Sequence, residues 1–234
     1  MNNSELKWKQ KERKQFSDEC WYKDVCSDLN CENCIKYLEM RFLMDSSGIP
    51  KAKQQPVKLI PDDCDYDKFV TLDSVKKDIK EFVELGGNLF ICSKSTGNGK
   101  TSWALKLLMH FFEEVWDGNG LQARGLFIHV PTLLLQLKNF SNPLSEEYKR
   151  QILSVDLVVW DEIASSNVSQ YDYQNLLMFL EKRLLNDKAN IFTSNSTTLA
   201  EVTEAVGAKI ASRLWNWSDV IEFKGKDRRS NGNS

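Results

Sequence analysis

Long hydrophobic runs are missing from this sequence. No apolar stretch approaches the roughly 18 residues that a membrane-spanning helix needs. The opening residues MNNSELKWKQKERKQF contain no apolar segment of the kind that export signals carry. We therefore expect a cytoplasmic protein. Its six cysteines then argue against a disulfide framework, because the cytosol keeps thiols reduced, so metal binding or burial must account for them.

An excess of positive charge is also lacking. The chain has 31 Lys and Arg residues against 33 Asp and Glu residues, which gives a net charge of −2. Such a chain has no overall attraction to nucleic acid. DNA binding would therefore require a local basic surface.

The sequence divides near residue 50 into two units, which we place at residues 1–50 and 51–234. The first contains four clustered cysteines and a helical apolar pattern, IKYLEMRFLM, that ends at the stop signals Gly48 and Pro50. The segment KAKQQPVKLIPDDCDYDKF follows, and its Pro, Lys and Asp content is typical of a linker.

The second unit alternates between strand and helix patterns. Strands are predicted at 88–92, 125–130, 155–160, 190–193 and 220–223, and helices at 71–85, 102–116, 132–138, 171–186 and 199–214. Nearly continuous apolar strands between helices indicate an α/β fold with a mostly parallel sheet covered on both faces.

The segment KSTGNGKT, at positions 94–101, matches the phosphate-binding pattern G-x-x-x-x-G-K-[ST] except at its first residue. Gly97 and Gly99 allow successive amides to face phosphate oxygens at a helix N-terminus. Lys100 would reach the β and γ phosphates, and Thr101 would ligate Mg²⁺. The candidate binding residues are Ser95, Thr96, Gly97, Asn98, Gly99, Lys100, Thr101 and Ser102. The alternative is a glycine-rich turn without a ligand.

Lys94 stands where this pattern has glycine. If the position requires a positive φ, lysine there costs on the order of 1 kcal/mol. Weakened nucleotide binding, or a loop that opens differently, would follow.

Two adjacent carboxylates follow the apolar strand in LVVWDEI. Parallel sheets bind their ligands at the carboxyl ends of the strands. Asp161 would hold Mg²⁺ through water, and Glu162 would orient and deprotonate the water that attacks the γ phosphate. Alone, the pair would mark an exposed loop.

Asn195 ends a further strand, NIFTSN, and would sense the γ phosphate and position the attacking water. As an isolated residue it would be a helix cap or turn residue. Arg213, Arg228 and Arg229 are candidates for stabilising transition-state charge, and are otherwise ordinary surface residues.

These motifs resemble the AAA+ ATPases, and within them the replicative helicase loaders of the DnaC/DnaI type, especially phage and prophage versions. The resemblance covers about residues 45–229 and rests on SGIP, GNGKT, VPTLLLQLK, VDLVVWDEI, IFTSN, SRLW and VIEFKGKDRR. It implies an AAA+ core of the ASCE P-loop type, without a C-terminal lid domain. It also implies a Mg²⁺-dependent ATPase that delivers a hexameric helicase to single-stranded DNA in replication initiation. A phage-encoded version would act in the bacterial host cytosol.

The resemblance also implies roles for individual residues. Arg213 matches an arginine that acts on a neighbouring subunit, which implies self-association on the helicase ring, and Arg229, or else Arg228, matches a second nucleotide sensor. Lys94 departs from the family pattern, and so does Lys209, where many loaders have arginine.

The N-terminal zinc module of such loaders binds the helicase. This role suits the apolar stripe Tyr37, Leu38, Phe42 and Leu43, although a packed core explains that stripe as well.

Cys20, Cys26, Cys31 and Cys34 have the spacing C-x5-C-x4-C-x2-C. The last two form a common zinc-binding knuckle, and four thiolates satisfy a tetrahedral structural site. A unit of about fifty residues has little core without such a site. We predict zinc, with an iron–sulfur cluster or free thiols as alternatives. Cys64 and Cys92 fit linker and strand positions, and His110 and His129 have no ligand-like neighbours.

Two basic and aromatic segments are candidates for single-stranded DNA. The first has Lys7, Trp8, Lys9, Lys11, Arg13 and Lys14, and the second, which we favour, has Lys138, Phe140, Tyr148, Lys149 and Arg150. Solvated charged surfaces explain most such segments.

Taken with the resemblance, the sequence predicts a helicase loader. The alternatives are a transposition-helper ATPase and a non-hydrolysing helicase-binding adaptor or inhibitor.

Overall fold

A parallel sheet forms the centre of the molecule. The computed structural model describes residue 20 and residues 34–54, 58–115, 121–139, 144–165 and 168–226. Within these residues the strands are β1 (Asn88–Cys92), β2 (Gly125–His129), β3 (Leu157–Asp161), β4 (Ala189–Ser194) and β5 (Asp219–Glu222). They lie in the order β2-β3-β4-β1-β5, and every pairing is parallel.

Helices cover both faces of the sheet. They are α1 (Ile35–Ser46), α2 (Tyr66–Lys77), α3 (Ile79–Glu84), α4 (Lys100–Val115), α5 (Val130–Leu137), α6 (Glu146–Ser154), α7 (Gln170–Leu184), α8 (Leu199–Val206) and α9 (Ala208–Asn216). Short 3-10 turns lie at Lys51–Lys53 and Asp63–Asp65. No helix within the described residues has both the length and the apolar character that would let it cross a membrane.

Alternating strand residues feed two separate cores. Leu89 and Ile91 of β1 pack with α1, α2, α3 and α4 on one face. Phe90 packs with α5 to α9 on the other face, as does Trp160 of β3. Side chains of a strand point alternately to its two faces, so strands buried on both sides must be apolar at almost every position. The predicted α/β class and the parallel sheet are confirmed.

Two predicted helices are each broken into two. The segment 71–85 divides at Asp78, whose φ of −107° and ψ of 26° interrupt the helix. The segment 199–214 divides at Gly207, whose φ of 80° suits glycine. Helix α6 had no counterpart among the predicted helices, and α2 begins inside the segment interpreted as a linker. The apolar period alone did not show these breaks.

Helix α1 belongs to the core of the sheet. Its residues Met40, Leu43 and Met44 are buried with residues of α4. Directly after it, the Ser47 carbonyl accepts a hydrogen bond of 2.7 Å from the Phe127 amide of β2. The described part of the first predicted unit is therefore packed on the second, and the domain boundary near residue 50 stays a prediction.

The apolar stripe of α1 divides between core and surface. Tyr37 and Leu43 are buried, whereas Leu38 and Ile35 are 49% and 63% exposed. Burial accounts for Tyr37 and Leu43, as the core alternative for this stripe supposed. The outward-facing residues remain available for a contact.

Candidate functional site

The loop between β1 and α4 has a backbone that suits an anion. Gly97 and Gly99 have φ values of 69° and 106°, and a Cβ added at Gly99 would meet no atom within 4 Å. The Ser93 hydroxyl accepts hydrogen bonds from the Ser95 amide at 3.1 Å and from the Asn98 side-chain amide at 2.5 Å. The side chains of Ser93 and Asn98 therefore hold the loop in its conformation. The loop is open to space at Gly99.

Lys94 does not need the conformation that favours glycine. Among the described non-glycine residues, positive φ occurs at Glu162, Ala164 and Asp187. The backbone strain considered for Lys94 is therefore absent. Its ammonium forms an ion pair with Glu201 at the start of α8.

Lys100 lies inside the loop. It is 8% exposed, and its ammonium donates to the Ser95 carbonyl at 2.7 Å and to the Ser93 carbonyl at 3.4 Å. Because the helix N-terminus and this ammonium converge on one place, that place carries positive potential. The residues present fit a bound polyphosphate.

A cavity of about 440 Å³ opens beside the loop, within the range of roughly 300–1,000 Å³ that small-molecule sites occupy. Its lining has three parts. The loop and the start of α4 contribute residues 96–102, and the strand ends contribute His129, Asp161, Glu162, Thr193, Ser194 and Asn195. The third part consists of Ala52, Lys53, Leu105, Lys106 and Met109. The phosphate-binding residues and the two acidic residues thus face one space.

Asp161 connects three elements at the end of β3. It is 4% exposed, and its Oδ1 accepts hydrogen bonds of 2.7 Å from both the Thr101 and the Thr193 hydroxyls. The predicted Mg²⁺ ligands, Thr101 and Asp161, are therefore in direct contact. Oxygen donors of this kind are those that Mg²⁺ prefers, so the donor set fits that ion.

Thr193 is a site residue that the sequence reasoning missed. Its hydroxyl also accepts the Glu162 amide at 3.0 Å, so it holds both residues of the acidic pair in register with β4. The available signal was a hydroxyl residue directly after the apolar pair Ile191 and Phe192 in the strand segment NIFTSN.

Glu162 turns out of the sheet toward the cavity. Its φ of 60° is unusual for a residue other than glycine, and its side chain is 49% exposed. His129 Nε2 lies 3.2 Å from Glu162 Oε2, and His129 Nδ1 lies 2.7 Å from the Thr132 hydroxyl. His129, for which no role was predicted, therefore contacts the candidate catalytic base.

Comparisons with known proteins show which fold this chain has. No protein-family model matches the chain, and no curated protein matches it. Among solved structures, the DnaC helicase loader aligns with a TM-score of 0.61 at 18% identity, over 71% of this chain and 94% of that one. DnaI aligns with a TM-score of 0.61 at 18% identity, over 78% of this chain and 95% of that one.

The chain has the fold of the DnaC helicase loader and of DnaI. The same fold relates it to the replication initiator DnaA bound to AMPPCP and single-stranded DNA, with a TM-score of 0.56 at 15% identity. That alignment covers 72% of this chain and 49% of that one. The expected fold of a DnaC-type helicase loader is confirmed.

The remaining site predictions have different outcomes. Asn195 follows β4 and lines the cavity. Arg213 on α9 does not line it, and donates to Glu181 of α7 at 2.5 Å. Arg228 and Arg229 lie outside the described residues. The roles of these residues stay predictions.

The cysteine prediction is only partly covered by the described residues. Cys26 and Cys31 lie outside them. The described residues themselves contain no cluster of three or more His, Cys, Asp or Glu residues able to hold a metal. Cys20 and Cys34 are half-buried. The Cys34 sulfur accepts the Tyr37 amide at 3.4 Å and caps α1. By contrast, burial raises the pKa of the Cys92 thiol to about 12, so it remains protonated.

In the favoured DNA segment, the positive charges of the basic side chains are largely compensated by acidic neighbours. Lys138 pairs with Asp172 at 2.6 Å, Lys149 with Glu146 at 2.7 Å and Arg150 with Glu147 at 2.8 Å. Phe140 and the N-terminal basic segment lie outside the described residues. DNA contact by either segment stays a prediction.

Proposed function

We propose that this chain is an ATP-dependent loader that binds a hexameric replicative helicase and delivers it to single-stranded DNA. The observation that carries the nucleotide half is the contact of Thr101 with Asp161 at the mouth of the phosphate loop. That contact joins the end of the phosphate loop to the acidic end of β3. The helicase half rests on the resemblance to DnaC and DnaI.

The residues divide the work as follows. The amides of the loop and the Lys100 ammonium bind the triphosphate of ATP. Thr101 and Asp161 would hold Mg²⁺, which when bound neutralises charge on the β and γ phosphates. Glu162 accepts a proton from the attacking water, and Asn195 orients that water toward the γ phosphate.

The partner contacts belong to the same proposal. A zinc module within residues 1–50 contacts the helicase. The exposed Ile35 and Leu38 contribute apolar area to that contact. Neighbouring loaders on the helicase ring place Arg213 at each other's ATP, which requires Arg213 to leave Glu181. Arg229 completes the site from the C-terminal segment.

Two measurements test the proposal. Purified full chain is assayed for ATP hydrolysis alone and with helicase and single-stranded DNA, and Glu162→Gln is expected to bind ATP while losing turnover. Helicase capture is then measured by affinity pull-down from host lysate, with and without ATP.

Each rival predicts a different result. Recovery of a transposase in place of the helicase would favour the transposition-helper ATPase. Capture of helicase with equal, negligible ATP consumption by the wild type and Glu162→Gln would favour a non-hydrolysing adaptor. Absence of any nucleotide binding, with partner present or absent, would refute both halves.

A further inference from the structure

Lys94 contacts the helix that follows the neighbouring strand. Strands β1 and β4 are adjacent in the sheet, and the loops that follow them face each other at its carboxyl edge. The Lys94 ammonium, on the first of these loops, pairs with Glu201 Oε1 on α8. A glycine at position 94 could not make this contact.

Glu201 organises the loop that contains Asn195. Its Oε2 accepts a hydrogen bond of 2.9 Å from the Thr197 amide, and its own amide donates to the Thr198 hydroxyl at 3.3 Å. One carboxylate therefore binds both the Lys94 ammonium and the backbone two residues after Asn195. Glu201 therefore connects Lys94 to that loop.

The phosphate loop itself does not depend on this ion pair. Ser93 holds it through Ser95 and Asn98, and the Ser93 amide donates to the Ser194 carbonyl at 3.1 Å. Removal of the Lys94 side chain leaves all of these bonds. What it removes is the side-chain connection between the phosphate loop and the loop at Asn195.

We infer that Lys94 is a positioning residue, whose ion pair with Glu201 holds the Asn195 loop against the phosphate loop. This inference rests on the proposed ATP hydrolysis, in which Asn195 orients the attacking water. Because ATP is bound by the phosphate loop, loss of the pair lowers kcat and leaves KM nearly unchanged. An exposed pair supports about a two- to fivefold decrease.

The test uses the full chain with Lys94→Ala, Lys94→Gly and Lys94→Arg. Lys77→Ala is the matched control, because it removes an exposed ion pair with Asp73 on α2, away from the lining of the cavity. Amide hydrogen exchange at Thr197 is measured without nucleotide, and kcat and KM are measured for ATP. Lys94→Ala is also combined with Glu201→Ala.

We expect Lys94→Ala and Lys94→Gly to exchange the Thr197 amide about two- to fivefold faster and to lose kcat by a similar factor. Lys94→Arg should restore both values, and Lys77→Ala should change neither. In the Glu201→Ala background, Lys94→Ala should add no further effect. These results together would establish the positioning role.

Other results would overturn it. Unchanged exchange at Thr197 in Lys94→Ala would show that the pair does not hold the loop. Tighter ATP binding and undiminished kcat in Lys94→Gly would show that lysine is only a defect in the motif. If the wild type neither binds nor hydrolyses ATP, the proposed function fails, while the exchange experiment still decides whether the ion pair holds the loop.

Discussion

Thr101 donates a hydrogen bond of 2.7 Å to Asp161, so the first turn of α4 and the end of β3 are joined directly at the cavity. The two residues are sixty positions apart in the sequence and approach because β1 and β3 both flank β4. Asp161 also accepts the Thr193 hydroxyl. Its carboxylate is thus oriented before any ligand arrives.

The first prediction concerns this hydroxyl. Thr101→Val keeps the shape of the side chain but removes the oxygen, so affinity for ATP in the presence of Mg²⁺ should fall by about tenfold or more. In excess chelator, the variant and wild type should bind nucleotide alike. Titration with a fluorescent ATP analogue measures both values, with Thr71→Val on exposed α2 as control. Equal affinities in Mg²⁺ would contradict a ligand role for Thr101.

A second prediction follows from the contact between His129 and Glu162. His129→Ala frees the carboxylate to adopt other rotamers, and kcat for ATP should fall about three- to tenfold, because a general base must hold its position. The nucleotide dissociation constant should stay within about twofold of that of the wild type. His110→Ala, on the outer side of α4, is the control. A rise in kcat would mean instead that His129 restrains Glu162 away from the water.

Arg183 is the subject of the third prediction. All five of its donors are used, to the Asn190 side chain and to the carbonyls of Ile152, Val155, Asp156 and Ala189. Burial lowers the pKa of this guanidinium to about 9, which leaves it charged at neutral pH. Arg183→Met leaves these buried acceptors without a hydrogen-bond donor and should lower the free energy of unfolding by about 3 kcal/mol.

Urea unfolding measures the cost of Arg183→Met. The exposed neighbour provides the matched variant Lys182→Met, which should change the free energy of unfolding by less than about 0.5 kcal/mol. Equal stabilities of the two variants would show that water replaces the guanidinium without loss.

The fourth prediction is a pH dependence at Asp156. Burial raises the pKa of this carboxyl, but hydrogen bonds from Arg124 and Lys188 outweigh it, and the pKa lies below its usual value of 3.8. A carboxyl with a lowered folded-state pKa stabilises the protein above its unfolded pKa, and that stability is lost as pH falls. Asp156→Asn should therefore cost about 1 kcal/mol at pH 7, and the cost should shrink toward pH 3.

Unfolding free energies of wild type and Asp156→Asn, measured in steps from pH 7 to pH 3, test this sign. Asp73→Asn, in an exposed i,i+4 pair, should show a smaller difference at every pH. A difference between wild type and Asp156→Asn that grows in acid would contradict the prediction.

The fifth prediction is metal content. If Cys20, Cys26, Cys31 and Cys34 bind zinc, purified chain contains about one zinc per molecule, and Cys34→Ser lowers this content. Cys64→Ser, at an exposed position, should retain the metal. Elemental analysis gives the answer, and iron in place of zinc, or no metal, would contradict the assignment.

The sequence was sufficient for features that depend on local order. The loop between β1 and α4 was predicted from the order of a strand, the segment GNGKT and a helix. The acidic end of β3 was predicted from the segment LVVWDEI. Both are confirmed as structure, because each is one continuous segment. The kinks at Asp78 and Gly207 were not predicted, since an apolar period continues across a break in the backbone.

Contacts between distant segments could not be predicted in the same way. The pair His129 and Glu162 depends on β2 lying beside β3, and the pair Lys94 and Glu201 depends on β1 lying beside β4. Without the strand order, His129 and Lys94 were an isolated histidine and an irregular residue of a motif. Strand order brings His129 to the lining of the cavity and brings Lys94 into contact with Glu201.

The bond from the Phe127 amide to the Ser47 carbonyl has a practical consequence for anyone who wishes to produce the predicted second unit, residues 51–234, alone. Strand β2 lies at the edge of the sheet, and an edge with unpaired amides invites another chain to add a strand. A chain shortened to begin at residue 51 would uncover this amide and leave the places of Met40 and Met44 empty. Such a fragment should aggregate, whereas one that begins before Ile35 should remain monodisperse.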